Sequence, residues 1–133
     1  MSVRDVARVL ALARVGLGGG LLLAPRLTTA VWVGADARRS SVQVVGRALG
    51  AREVVLGGIA LHTVDHPQVG PRWQRTLAAV DAVDLLATLL ARRRLPSVGV
   101  ILISAMAATG AGGQAWTSAK LSAAAQEGAS GPA

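Results

Sequence analysis

Gly46-Arg47-Ala48-Leu49-Gly50-Ala51-Arg52-Glu53-Val54-Val55-Leu56-Gly57 holds the most informative periodicity in the chain. At 3.6 residues per turn, Gly46, Gly50, Glu53 and Gly57 fall on one narrow helical stripe. Glycines on one face let a second helix approach closely. Glu53 is therefore expected in the tightest helix contact, near the middle of an apolar run, with Arg47 and Arg52 projecting to either side of the stripe.

That run extends from about Ser41 to Leu61, and three others of similar length surround it. They cover about 6–24, 73–91 and 97–116, and each approaches the roughly 17–25 residues that a spanning helix requires. The ends are abrupt: Pro25-Arg26 after the first, His62–Pro67 after the second, and Arg92-Arg93-Arg94-Leu95-Pro96 after the third. Trp73 and Trp116 mark the ends of the third and fourth runs, as an aromatic belt would. Leu27–Val33 reads as a short interfacial segment with Trp32 at headgroup level. The Ser/Ala/Gly-rich stretch 117–133 lacks apolar periodicity and is expected to be a disordered tail. The fold class expected is all-α, a four-helix transmembrane bundle over residues 1–116. A soluble bundle of the same segments is the main alternative, and the two aspartates that interrupt the third run are its best support. A cleaved signal peptide ending near Thr28-Thr29-Ala30 fits poorly, because Arg14 precedes the apolar core of that segment and Pro25-Arg26 follows it.

Composition agrees with a membrane protein. Of 133 residues, 52% are hydrophobic and 16% are charged, with a net charge of +7. A soluble domain carries about 25% charged residues, and a chain this short buries a modest share of its surface. Cysteine, tyrosine and phenylalanine are absent. Disulfides, thiolate metal sites and cysteine nucleophiles are thereby excluded, as are the aromatic platforms of single-stranded nucleic-acid binding. The basic residues punctuate apolar runs instead of forming one face, so nucleic acid is not an expected partner and membrane lipids are. A multi-pass protein of the plasma (inner) membrane follows. The Arg92–Arg94 cluster favours a cytoplasmic position for the first and third loops.

Six charged residues lie at the predicted hydrocarbon depth of these runs: Arg14, Arg47, Arg52, Glu53, Asp81 and Asp84. Each costs about 2.5–3.5 kcal/mol at a helix centre if left unpaired in lipid. They are expected to pair inside the bundle, and because three are basic and three acidic they cancel. Asp81, Asp84 and Thr88 share a helical face at i, i+3 and i+7. The simplest assembly packs the first three long helices around an Arg/Glu/Asp network. Such a network either fixes helix register or marks a site. As a site, Glu53, Asp81 and Asp84 are candidate acid/base groups, Arg52 and Arg47 their charge partners, and Arg14 a ligand-binding group.

Weaker signals carry less. His62 and His66 are spaced to chelate a metal on a helix, but no third ligand lies near them in sequence. No metal and no cofactor are expected. Leu17–Gly20 follows no strand and lacks the Lys-Ser/Thr of a phosphate loop. Thr109-Gly110-Ala111-Gly112-Gly113 reads as close helix packing.

Together with Asp81-Ala82-Val83-Asp84-Leu85-Leu86, the run from Gly46 to Gly57 resembles a family of small four-helix membrane proteins common in actinobacteria. These carry a domain of unknown function and are broadly similar to DoxX-type four-helix proteins. The resemblance covers most of residues 1–116 and is most specific around Gly50–Glu53. It implies four membrane helices and no particular reaction. The function expected from the residues is an accessory or lipophilic-ligand-binding role, with self-association through glycine faces. An intramembrane acid/base enzyme (isomerase, cyclase or epoxide-opening) and a proton-coupled small transporter are the alternatives.

Overall fold

The computed structural model describes residues 1–129, and among these every regular element is helical. Five α-helices follow one another: α1 (Val3–Leu23), α2 (Pro25–Val33), α3 (Ser40–Thr63), α4 (Val69–Ala91) and α5 (Ser97–Ala129). Short 3-10 turns at Gly34–Arg38 and Arg92–Arg94 join α2 to α3 and α4 to α5.

Local chemistry sets the boundaries. Ser2 and Asp5 form a reciprocal capping box at the start of α1, satisfying N–H groups that the first turn leaves open. Pro25 has no N–H and cannot continue α1, but it suits the first turn of α2. The expected interfacial segment is thus a separate short helix, with Thr29 against Gly46 of α3 and the Trp32 carbonyl against Gly99 of α5. Gly34 ends α2 at a φ of +62°, a conformation that favours glycine. His66 starts α4, its Nδ1 accepting the Val69 N–H at 3.2 Å.

The long helices associate as two close pairs, α1 with α3 and α4 with α5, with looser contact between the pairs. Glycine makes the first pair possible. A Cβ on Gly50 would stand 2.7 Å from the Gly18 carbonyl oxygen, and one on Gly57 2.8 Å from that of Ala11. Gly46 faces Thr29 and Pro25 of α2. The stripe inferred from the sequence is therefore packed inside the chain, against α1 and α2.

Beyond Trp116 the structure departs from expectation. Residues 117–129 continue α5, where a disordered tail was expected. Thr117 and Ser118 are buried, and the Ser118 hydroxyl donates to the Pro71 carbonyl of α4 at 2.7 Å. The Ala-rich sequence that follows propagates a helix anchored in this way. The rest of that stretch, 130–133, lies outside the described residues.

Burial is inverted relative to a water-soluble core. The buried apolar cluster is small, with Ala11, Ala60 and Leu77 at its centre. Val9, Leu12, Val45, Val55, Val83, Leu86, Leu90 and Ile101 all point outward, each more than half exposed. Arg14, Glu53, Gln74, Asp81, Thr88 and Gln114 are buried. Two helices, Val3–Leu23 and Ser97–Gly128, are long and apolar enough to cross a membrane.

Candidate functional site

Arg14 lies one turn before the glycine-rich half of α1 and is 7% exposed. Its guanidinium forks between two carboxylates: Nη1 donates to Glu53 Oε2 on α3 and Nη2 to Asp81 Oδ1 on α4, each at 2.5 Å. The fixed fork of an arginine suits this double recognition, which a point charge would perform less well. The second oxygen of Asp81 accepts the Gln114 amide N–H from α5 at 3.0 Å. Four side chains, one from each long helix, thus join in a single buried chain.

The i, i+3 face expected on α4 is real. Asp84 sits beside Asp81 and takes hydrogen bonds of 3.3 Å from both terminal nitrogens of Arg52. This pair is the accessible part of the network, its side chains 35% and 39% exposed. Arg52 also stands 3.8 Å from Glu53 Oε1. Thr88 completes the face, its hydroxyl donating to the Asp84 carbonyl at 2.9 Å.

Arg47 is a correction. Among the described residues it enters no ion pair of this network, and it is exposed. The helical stripe explains why. Arg47 and Arg52 flank the stripe on opposite sides, and α4 with its two aspartates lies on the Arg52 side. Arg14, expected as a ligand-binding group, instead has its terminal nitrogens held by Glu53 and Asp81.

All five helices contribute to a cavity of about 550 Å³ beside the network. Leu10, Leu17, Leu21, Leu49, Leu102 and Met106 supply apolar wall, and Arg14, Glu53, Asp81, Asp84 and Gln114 supply polar wall. Trp32 also lines it, with its indole N–H buried and without a hydrogen-bond partner. A headgroup position was expected for Trp32. In the fold, α2 sets its ring against the cavity. Glu53 Oε1 and Gln114 Oε1 are likewise buried without hydrogen-bond partners. Buried polar atoms normally find partners, so three such atoms around one cavity form an unusual concentration.

Sequence reasoning missed Gln114, which directly follows the glycine-rich segment read only as a packing surface. The signal was present in Gly110. A Cβ there would collide with Asp81 Oδ2, so the glycine admits the carboxylate that Gln114 then holds. The two histidines are exposed at the far end of the molecule. Among the described residues, no group of three or more His, Asp or Glu could hold a metal ion. No family model, curated protein or solved structure matches this chain.

Proposed function

We propose that the chain is a multi-pass protein of the plasma membrane, a bundle with four spans that binds a lipophilic small molecule between its two helix pairs. The observation that carries this reading is the cavity: about 550 Å³, walled mainly by aliphatic side chains, with a charged network at its side. Apolar pockets of this size with a few convergent polar groups are the usual form of small-molecule sites.

The membrane part of the reading rests on inverted burial. Contiguous apolar patches beyond a few hundred Å² are rare on soluble monomers, whereas charged groups in membrane bundles face inward and pair. At 24 and 23 residues, α3 and α4 are long enough to span. What sets them apart from α1 and α5 is charge, and Glu53, Asp81, Arg52 and Asp84 answer one another within the fold. Gly34 stands against Pro96, so the first and third loops share one end. Arg4 and Arg8 reach Asp65, so the N-terminus and the second loop share the other. This is the up-and-down order that four crossings would require.

The test uses Trp32 as a reporter. In a Trp73→Phe/Trp116→Phe background, a brominated alcohol such as ω-bromododecanol quenches Trp32 on contact. Saturable quenching that disappears when Ala107→Phe fills the cavity supports the reading. Quenching that rises linearly and is indifferent to Ala107→Phe counts against it.

The acid/base alternative is favoured by one feature, the carboxylate of Glu53, which lines the cavity and whose Oε1 accepts no hydrogen bond. A base there would act on a bound apolar substrate, with Arg52 beside it as charge partner. Glu53→Gln would then abolish turnover while leaving ligand binding intact.

A further inference from the structure

The charges around the cavity do not cancel. Glu53, Asp81 and Asp84 are answered by Arg14 and Arg52 alone, because Arg47 lies outside the network. One negative charge is left over. Hydrogen bonding locates it: both oxygens of Asp81 and both of Asp84 accept hydrogen bonds, whereas Glu53 Oε1 accepts none. Glu53 is 5% exposed and lines the cavity. Gln114 adds a second free acceptor on the same wall. Its Nε2 is committed to Asp81, which can only accept, so Oε1 is the atom left over.

A surplus carboxylate charge and two unmet acceptors, at the side of a mainly aliphatic wall, specify the complement. We propose that the ligand is an amphiphilic amine, protonated at neutral pH. Its N–H groups donate to Glu53 Oε1, with Gln114 Oε1 as a further acceptor, and its hydrocarbon part lies among the leucines. A neutral lipophile leaves the charge and both acceptors unanswered. A carboxylate adds repulsion. A quaternary ammonium supplies charge without a donor. The unpaired Trp32 N–H favours an amine that also carries a hydrogen-bond acceptor along its chain. This inference rests on the cavity being a ligand site.

The experiment compares matched probes on the full chain in lipid nanodiscs at neutral pH, read by quenching of Trp32 in the Trp73→Phe/Trp116→Phe background. The probes are ω-bromododecylamine, ω-bromododecanol and ω-bromododecanoate. The amine is expected to bind at least about tenfold more tightly than the alcohol, and the carboxylate most weakly. Glu53→Gln should erase the margin of the amine over the alcohol. Arg52→Gln should widen it, because it removes a positive charge beside Glu53; impaired folding cannot produce that gain. Equal binding of amine and alcohol, or a margin that shrinks in Arg52→Gln, overturns the amine assignment while the cavity remains a site. Absence of saturable quenching by all three probes overturns the site and the assignment together.

Discussion

Arg14 and Asp81 meet across the seam between the two helix pairs, Nη2 to Oδ1, 67 residues apart in sequence. The same guanidinium holds Glu53 within its own pair. One side chain therefore closes α1 onto α3 and also draws α4 towards both. Arg52 and Asp84 form the second ion pair across the seam, nearer the surface.

Arg14→Met should be the most destabilising of the network substitutions. It leaves Asp81 buried without a cation and Glu53 with only the more distant Arg52, and breaking a buried pair in this way costs about 3–5 kcal/mol. Neutralising all three partners, in Arg14→Met/Glu53→Gln/Asp81→Asn, should recover much of that loss. Asp84→Asn should cost under about 1 kcal/mol, because its pair is part-exposed. Thermal unfolding in detergent measures all three. An Arg14→Met protein as stable as the parent would sink this account of the core.

Gly50→Ala should separate α1 from α3. The added methyl meets the Gly18 carbonyl at 2.7 Å and the Leu22 nitrogen at 2.9 Å, both main-chain atoms of α1. Overpacking of this kind costs about 1–3 kcal/mol. Gly58→Ala is the control: nothing lies within 4 Å, so it should be neutral or stabilise by about 0.5–1 kcal/mol. Equal melting temperatures for the two variants would contradict the close crossing.

Gly110→Ala acts on the site. Its methyl takes the place of Asp81 Oδ2, forcing that carboxylate away from Gln114. Ligand affinity should fall about tenfold, with about 1–3 kcal/mol lost from stability through the broken buried hydrogen bond. Gly112→Ala, with open space around it, should change neither. Parallel titration and melting separate the two effects.

The chain has no cysteine, so single introduced thiols report topology without background. On intact cells, a membrane-impermeant maleimide should label Arg4→Cys and Asp65→Cys but not Arg38→Cys or Arg93→Cys, in keeping with arginine-rich loops facing the cytoplasm. Val55→Cys and Val83→Cys should stay unlabelled until the membrane is dissolved. Labelling of all six in intact membranes would exclude the four-span arrangement.

Much of this arrangement is legible in the sequence, and the reason is periodicity. Gly46, Gly50, Glu53 and Gly57 announced a face, and that face is buried. Asp81, Asp84 and Thr88 announced another, and it meets the first through Arg14. Periodicity shows which residues share a face but not which neighbour that face meets. Arg47 and Arg52 were therefore indistinguishable until α4 took its place on one side. That Trp32 lines the cavity depends on how α2 packs after Pro25, a tertiary consequence that spacing alone does not carry. The helix at 117–129 was missed because its stability comes from Thr117 and Ser118 docking, which no local pattern displays.

The 39-residue separation of Arg14 from Glu53 also bears on how the protein is made. If α1 enters the bilayer first, its arginine arrives with neither counter-ion yet synthesised. In lipid a lone arginine at that depth would cost about 2.5–3.5 kcal/mol, which pairing with Glu53 of α3 would relieve. In a four-span insertion α1 and α3 would pair first, with Asp81 available only after α4 follows. On that reading, the buried fork of Arg14 would set the order of events at the ribosome, each acidic partner joining as its helix emerges.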